Sequence, residues 1–265
     1  MTMKQMLTVR DFSRLTGVKE STLRYYDKLG IFSPAIRKEN GYRYYTPQQF
    51  ITINAVRLLY ELDMPTREIV PLAKNRTPEH ILETLIDKES ELESEIQRLK
   101  SSYNVITTIR KMVQIGLNSK ESWTGIEFRE GLGVIMGPEN DFGGADNFHT
   151  AFMNFCAEAE ERGIDLRLPV GGYFPDIEYF YENPGRPKHF FSIDQRGTKK
   201  RPTGRYLTSY HRGYYGDTGD IAKRMKSCIE EQGLKPTGPV YNIYLFDEVS
   251  VIDPSQYLLQ ATVKV

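Results

Sequence analysis

The 265-residue chain contains only two cysteines, Cys156 and Cys228, which limits the chemistry it can carry. They lie far apart in separate predicted helices, whereas a thiolate metal site needs several ligands at close spacing. Both are interpreted as small core residues. Their scarcity argues against a disulfide framework and against thiol-based sensing, and it fits a reducing compartment.

Long apolar runs and catalytic patterns are also lacking. No segment approaches the roughly 20 consecutive apolar residues of a membrane helix, and no signal peptide is recognisable. No glycine-rich phosphate loop or metal-ligand spacing appears. The histidines have no serine or cysteine partner pattern; they are His80, His149, His189 and His211. We therefore expect a cytoplasmic protein without a cofactor, a metal ion or enzymatic activity.

The chain also lacks net charge, with 35 basic and 35 acidic residues, but its charges are unevenly distributed. Residues 1–76 hold 13 Lys and Arg against 7 Asp and Glu, whereas residues 123–265 hold 16 against 20. A basic surface attracts DNA by releasing counterions. The N-terminal part is therefore the candidate nucleic-acid-binding module.

A helix-turn-helix pattern occupies the start of this module. Thr8 and Asp11 have the spacing of a helix N-cap, which predicts a first helix over residues 9–15. Gly17 provides the tight exit, and a second helix is predicted from about Lys19 to Leu29.

Periodicity divides the two helices into inner and outer faces. Val9, Phe12 and Leu15 share one face of the first helix, and Leu23 and Tyr26 point inward from the second. The outward positions suit a helix in a major groove, with two residues placed to contact phosphates. The positions assigned to DNA are Lys19, Thr22 and Lys28, with Arg24 and Tyr25 as the phosphate contacts.

A basic, aromatic hairpin is predicted after Pro34. Its donors are expected to contact the DNA backbone rather than the bases. They are Arg37, Lys38, Tyr42 and Arg43. The competing interpretation is an ordinary helical domain whose arginines and tyrosines cover apolar surface.

The succession of these elements resembles the MerR family of bacterial transcription regulators. The residues that carry the resemblance are Leu23-Arg24-Tyr25-Tyr26-Asp27 and Gly41-Tyr42-Arg43-Tyr44-Tyr45. It implies a winged helix-turn-helix, followed by a helix pair at about 46–60 and 65–73 that forms a second wing. That wing is formed around Met64-Pro65-Thr66-Arg67-Glu68, and Arg67 is assigned to DNA. Lys19 stands where many relatives have a small capping residue, so a weak N-cap is expected.

A long helix is predicted next, opened by Thr77 and Pro78 and free of glycine and proline until Gly116. Apolar residues recur every seven positions, which is typical of a coiled coil. Dimerisation is assigned to Leu85, Leu92, Ile96, Leu99, Tyr103 and Ile106. Resemblance to the family implies an antiparallel partner helix. A helix packed on its own chain is the alternative.

The remainder of the chain contains a weak internal repeat. The segments 160–163 and 169–174 are echoed by 230–233 and 239–244, and each copy indicates a helix ending in glycine followed by a strand. The sketch is two strand-helix-strand-strand units with helices on one face of a sheet and a pocket on the other. Its elements are 126–136, 147–162, 168–174, 188–194, 204–212, 218–232, 239–246 and 257–265.

The fold class is therefore α+β with three domains: a winged helix-turn-helix over 1–76, a coiled-coil helix over 77–120 and an effector domain over 121–265. The last resembles, faintly, the gyrase-inhibitor-like domains of multidrug-responsive MerR regulators, on the repeat layout, Gly204-Arg205-Tyr206 and residues 239–244. Its dense aromatic residues suit flat, apolar and often cationic ligands, although fewer than half of them are expected to touch a ligand. The ligand-binding residues assigned are Phe174, Tyr206, Tyr214, Tyr215, Asn242, Tyr244 and Tyr257.

Strand alternation places Asn242, Tyr244 and Phe246 on one face. The resembling domains carry a buried glutamate at the position of Asn242, where its charge compensates a cationic ligand. A neutral amide offers a donor and an acceptor but no charge. The ligand is then neutral, or a charge comes from another acid, for which the candidates are Glu178, Asp194 and Glu248.

The sequence thus predicts a homodimeric, ligand-responsive transcription regulator. By resemblance, the dimer binds a pseudo-palindromic promoter, acts together with RNA polymerase holoenzyme, and activates transcription by distorting DNA when an aromatic or hydrophobic effector binds. One alternative is a constitutive or repressing DNA-bending protein whose C-terminal domain is a partner surface. A pocket with hydrolase activity is a further alternative.

Overall fold

The computed structural model describes residues 6–75, 77–142 and 148–265. The chain divides into two compact units, Met1–Gln97 and Arg98–Val265. The predicted domain boundary at residue 76 lies outside the described residues. A single 40-residue helix, Pro78–Leu117, belongs to both units.

The first unit contains the predicted helix-turn-helix, hairpin and helix pair. Its three short strands form one antiparallel sheet in the order β1-β3-β2. In chain order the elements are β1 (Leu7–Thr8), α1 (Val9–Thr16), α2 (Glu20–Leu29), β2 (Ile36–Arg37), β3 (Arg43–Tyr45), α3 (Gln49–Glu61), α4 (Thr66–Lys74) and the first part of α5 (Pro78–Leu117).

Local capping explains where α1 and α2 begin and end. The Thr8 hydroxyl accepts a hydrogen bond from the Asp11 N–H at 3.2 Å and donates one to the Asp11 carboxylate at 2.6 Å. Gly17 ends α1 in the left-handed region, with φ at 72°. Lys19 occupies the N-cap of α2 and makes no side-chain capping bond, in agreement with the weak cap expected there.

Aromatic stacking forms the centre of this unit. Phe12 stacks on Tyr45 with 4.6 Å between ring centroids, and Phe32 lies alongside both. Leu15, which was placed on one face of α1 with Val9 and Phe12, is exposed, whereas Phe12 and Thr16 are the buried residues of this helix. The Thr16 hydroxyl is satisfied in this position, since it donates to the carbonyl oxygen of Phe12 at 2.8 Å.

The second unit is built on an eight-stranded sheet with the order β4-β9-β11-β10-β6-β7-β5-β8. Its central pair is β10 and β6, which run antiparallel with Asn242 opposite Gly172. The elements are β4 (Thr124–Arg129), β5 (Leu132–Glu139), α6 (Phe148–Ala157), β6 (Val170–Phe174), α7 (Ile177–Glu182), β7 (His189–Ile193), β8 (Lys199–Arg201), β9 (Gly204–Arg212), α8 (Ile221–Gln232), β10 (Thr237–Phe246) and β11 (Leu258–Lys264).

Helices cover both faces of this sheet. α6, α7 and α8 pack on the face that carries Phe190 and Ala261. The end of α5 packs through Met112 on the opposite face, which carries Phe191 and Ile243. The second unit therefore has three layers, with the sheet between its own helices and the last turns of α5.

Three details of the sketch are wrong. The segment 126–136 is not one strand, because it contains the end of β4 and the start of β5. α6 ends at Ala157 rather than residue 162, and the predicted start at 147 lies outside the described residues. A register shift between Tyr244 and Phe246 breaks the alternation of β10. Phe246 therefore joins the core on the α5 side, where its ring contacts Gly116 so closely that a Cβ there would lie 2.5 Å from it.

Within the part of the chain that the structure describes, no helix combines the length and apolar character needed to cross a membrane.

Candidate functional site

The outer face of α2 presents the polar residues assigned to DNA. The Arg24 guanidinium lies 3.6 Å from the carboxylate of Glu20, one helical turn away, and its side chain is 56% exposed. An arginine held this loosely remains available to a phosphate. Among the other assigned residues of this segment, Lys19, Tyr25 and Lys28 are exposed, and Thr22 is half-buried.

The hairpin, which is the first wing, is joined to α2 through Asp27, a residue for which no role was predicted. Arg37 donates to both carboxylate oxygens of Asp27, at 2.7 and 2.6 Å, and the Arg43 Nε donates to Oδ2 at 2.7 Å. The Asp27 side chain is fully buried. Arg37 and Arg43, which were assigned to the DNA backbone, therefore bind the hairpin to α2, the predicted recognition helix.

Electrostatics makes this junction strong. Burial alone would raise the pKa of Asp27, but the hydrogen bonds from Arg43 and Arg37 outweigh it, and the pKa is lowered from its ordinary value. The carboxylate is therefore charged at neutral pH. Charge-assisted hydrogen bonds of this kind are among the stronger ones in proteins.

The tips of the two wings are open to solvent. Tyr42 is exposed in the hairpin turn, and the Arg67 side chain lies at the start of α4, 3.6 Å from Glu68. Both positions are compatible with a DNA contact, and their assignment stays a prediction.

The apolar residues that recur along α5 form a stripe, here called the heptad seam, and the described part of the chain leaves this stripe partly exposed to solvent. The six residues assigned to dimerisation are between 42% and 71% exposed: Leu85, Leu92, Ile96, Leu99, Tyr103 and Ile106. Val113, at the end of the seam, packs instead with Met112 and Ile115 against the second unit's core. Packing on the chain itself thus accounts for the last turns of α5 but not for the seam.

A cavity of about 330 Å³ opens in the second unit. It lies on the face of the sheet that carries α6, α7 and α8, so the prediction of a pocket on the helix-free face is wrong. The end of α5 occupies that other face. The lining comes from α6 (Phe148, His149, Phe152), from β6 and β10 (Gly172, Phe174, Asn242, Tyr244), from the loop after β9 (Tyr214, Tyr215, Thr218) and from the turn after β10 (Asp247, Glu248, Val249), with further residues around them.

Five of the seven residues assigned to the ligand line this cavity: Phe174, Tyr214, Tyr215, Asn242 and Tyr244. Of the described residues around it, Tyr206 and Tyr257 are not part of the lining, which corrects their assignment. Tyr206 is buried elsewhere and donates its hydroxyl to the carbonyl oxygen of Pro202 at 2.7 Å. Tyr257 lies behind the lining and contacts the rings of Tyr214 and Tyr215, at 6.1 and 5.2 Å between centroids.

Tyr244 positions the loop after β9, which carries Tyr214 and Tyr215. Its hydroxyl accepts a hydrogen bond from the Gly216 N–H at 2.9 Å and donates one to the Tyr214 carbonyl oxygen at 3.2 Å. Burial raises the pKa of Tyr244, so the hydroxyl stays protonated and keeps its donor. The ring of Tyr215 meets that of Tyr244 edge to face at 4.8 Å.

The turn after β10 contributes two acidic side chains to the cavity. Asp247 and Glu248 both line it, and burial raises the pKa of Asp247. Glu248 accepts a hydrogen bond from the Tyr215 hydroxyl. Of the acids that the sequence offered as alternatives, Asp194 is instead bound to Arg196, and Glu178 is absent from the described lining.

Comparison with known proteins identifies the family. Residues 8–45 match the model of the MerR family regulatory protein. Over 253 residues the chain is 30% identical to the multidrug-efflux transporter 2 regulator of Bacillus subtilis, which covers 94% of this chain and 92% of that protein. The chain belongs to the MerR family. It is accordingly a DNA-binding transcription regulator and a homologue of a multidrug regulator.

Solved structures similar to this MerR-family chain include an EcmrR–DNA complex determined by cryo-electron microscopy. It is 17% identical, covers 98% of this chain and 100% of that one, and has a TM-score of 0.40. A hydrolase from Listeria innocua is 13% identical over 56% of this chain and 94% of its own, with a TM-score of 0.34.

The match to the MerR family model covers the part of the chain that carries α2 and the hairpin. The family model ends at Tyr45, so it spans α1, α2 and both strands of the hairpin, including Asp27 and its two arginines. The cavity and the heptad seam lie outside that match. Their roles are inferred from their geometry.

Proposed function

We propose that the chain is a homodimeric, ligand-responsive transcription activator whose effector binds in the cavity of the second unit. The observation that carries this proposal is the cavity itself, about 330 Å³ and walled by aromatic rings, in a chain whose other unit is a DNA-binding module. Cavities of this size hold small organic molecules, and aromatic walls favour flat, apolar ones.

Dimerisation follows from the exposed seam of α5. A stripe of half-exposed leucine, isoleucine and tyrosine is typical of a surface that a second helix covers. A second copy of the chain supplies a matching stripe when α5 pairs with it in antiparallel orientation. Two recognition helices then read a pseudo-palindromic promoter.

Activation requires the effector to favour one DNA-bound state over another. A ligand that binds both states equally shifts nothing, however tightly it binds. We propose that the filled cavity stabilises the state that distorts the promoter, where RNA polymerase holoenzyme then initiates. The cavity acts as a binding site and does not turn its ligand over.

Thermal shift combined with transcription in vitro tests this function. Small molecules that raise the melting temperature of the full chain are added to a reaction with RNA polymerase holoenzyme and a promoter selected by the protein. We expect those molecules to raise transcription. Ligands that stabilise the protein and leave transcription unchanged would favour instead a constitutive or repressing DNA-bending protein whose second unit is a partner surface.

A further inference from the structure

A buried arginine of the second unit has no acidic partner among the described residues. Arg201, the last residue of β8, is 6% exposed. Its guanidinium donates to two neutral oxygens, the Glu130 carbonyl at 3.2 Å and the Thr262 hydroxyl at 3.5 Å. Burial lowers the pKa of Arg201 to about 10, so the group is still protonated at neutral pH. A buried charge of this kind is costly unless an opposite charge balances it.

A second arginine adds to the positive charge of this region. Arg129, at the end of β4, lies close enough to Arg201 for its charge to contribute to the lowered pKa of Arg201. It forms an ion pair with Glu127, whose carboxylate also accepts the Tyr210 hydroxyl at 2.9 Å. That pair is neutral in sum. The two arginines and the one glutamate therefore leave one positive charge without a counter-charge in the described chain.

Both arginines also have an unused hydrogen-bond donor. The Nε of Arg129 and the Nε of Arg201 are buried, and neither has a partner among the described residues. The ring of Tyr206 lies between the two side chains in the sheet: the Arg201 guanidinium is 5.2 Å from its centroid, and Tyr206 is the cross-strand neighbour of Glu127. The unused donors and the unbalanced charge thus belong to one small region.

This region joins the two ends of the eight-stranded sheet. β4 and β8 stand first and last in the strand order, so no ladder of backbone hydrogen bonds connects them. They are connected instead by the contact of Arg201 with the Glu130 carbonyl and by the Gly131 N–H, which donates to the Thr203 hydroxyl at 2.8 Å. A negative charge bound here would hold the curled sheet closed.

We propose that a single halide ion, chloride in the cell, binds between Arg129 and Arg201 and accepts a hydrogen bond from the Nε of each. One monovalent ion balances the one unpaired positive charge, and a spherical acceptor can receive two donors at once. A phosphate or sulfate would bring further oxygens that need donors, and the Tyr206 hydroxyl already donates to the Pro202 carbonyl. The site is separate from the effector cavity, because neither arginine is among the described residues that line it.

Bromide in crystals of the full chain tests the site directly, because bromide substitutes for chloride and is located by its anomalous scattering. We expect an anomalous peak within hydrogen-bond distance of both Nε atoms. A water molecule at that position, or bromide peaks confined to surface side chains as adventitious ions only, would overturn the proposal. The experiment uses the unmodified chain and no effector, so its outcome is independent of the proposed function.

Thermal unfolding tests the same site in solution. A ligand that binds only the folded chain stabilises it. Replacing gluconate with chloride at constant ionic strength should therefore raise the melting temperature of the full chain by about 4 °C when chloride is in tenfold excess over its dissociation constant. Equal melting temperatures in the two salts over the accessible concentrations would contradict the proposal.

Two variants separate the site from general effects of salt. Arg201→Met removes the charge and the Nε but keeps an unbranched side chain, and an apolar residue is tolerated where a buried charge is removed. In this variant the melting temperatures in chloride and gluconate should be equal. Arg205→Met, which changes an exposed arginine of β9, should keep the full chloride effect. A chloride effect of wild-type size in Arg201→Met would assign it to the solvent and overturn the site.

Discussion

Asp27 is the residue on which the DNA-binding unit's wing depends. Its carboxylate is buried at the end of α2 and receives three hydrogen bonds from Arg37 and Arg43. Removing one partner from a buried charge pair leaves the other groups unsatisfied. The wing's position relative to the recognition helix is therefore set by this carboxylate.

Replacing Asp27 with asparagine should loosen the wing. The lost charge-assisted hydrogen bonds contribute about 2 kcal/mol, so hydrogen exchange in residues 34–46 should accelerate by roughly 30-fold. Exchange measured by mass spectrometry on the full chain checks this. Glu20→Gln, which breaks only the exposed pair with Arg24, should leave exchange there unchanged. Equal protection in Asp27→Asn would show that the wing is held by its apolar contacts.

The same carboxylate makes wing docking sensitive to acid. Because the folded pKa of Asp27 lies below its ordinary value of 3.8, its contribution is complete above pH 3.8 and is lost as the pH falls through the lowered pKa. The Asp27 Cγ chemical shift should therefore titrate with a midpoint below 3.8. A midpoint at or above 3.8 would mean that the arginines do not stabilise the charged form.

Arg24 should contribute to DNA affinity without reading sequence. Arg24→Gln is expected to weaken binding to all duplexes and to reduce the slope of log K against log salt by about 1. Filter binding at several salt concentrations measures the slope. Arg162→Gln is the matched control, because Arg162 is also paired with an acid one turn away but lies in the second unit. An unchanged slope in Arg24→Gln would remove its phosphate contact.

At the scale of elements, the seam of α5 is the feature that the chain leaves exposed. Leu92→Ser/Leu99→Ser should dissociate the dimer, because each half-exposed leucine buries surface worth roughly 1 kcal/mol and a dimer loses about 4 kcal/mol in all. The dissociation constant should rise by roughly a thousandfold. Sedimentation equilibrium should report the 30.6 kDa chain mass for the variant and twice that for the wild type.

The control for the seam changes polar residues on another face of α5. Gln97→Ser/Lys111→Ser alters two exposed positions outside the seam, so it should remain dimeric. A wild-type chain that sediments as a monomer, or a Leu92→Ser/Leu99→Ser variant that stays dimeric, would contradict the role of the seam.

Elements dominated by local signals could be predicted from the sequence. Caps and glycines fixed the ends of α1 and α2 within one residue, and the spacing of turn residues gave the hairpin. The Asp27 junction could not be found in this way, because its partners lie 10 and 16 residues away and meet only in the folded hairpin.

The position and lining of the cavity could not be predicted from the periodicity of the sequence. Alternation put Phe246 beside Asn242, but a register shift at the end of β10 reverses it. The helix-free face is filled by α5, an element that the repeat in the second unit does not include. Tyr257 was assigned to the ligand, but it packs against the rings of Tyr214 and Tyr215 and is not among the described residues that line the cavity.

At the scale of the whole molecule, α5 is common to the DNA-binding unit and to the unit that holds the cavity. α5 contributes its exposed seam to the proposed dimer, and its last turns pack on the sheet whose other face carries the cavity. Phe246, on Gly116 of α5, directly precedes the acidic turn of the cavity. Ile109 of α5 also lines the cavity. An effector bound there would therefore lie against the helix that carries the seam.

Ligand control of promoter shape can be measured by fluorescence energy transfer between dyes at the two ends of a bound promoter duplex. We expect saturation of the cavity with ligand to change the transfer efficiency of the complex at constant DNA occupancy. Tyr215→Ala, which removes an aromatic wall, should shift this change to higher ligand concentration, whereas Tyr181→Ala, outside the described lining, should not. A ligand that binds the cavity and leaves the transfer efficiency of the complex unchanged would contradict the proposal that the effector acts by distorting promoter DNA.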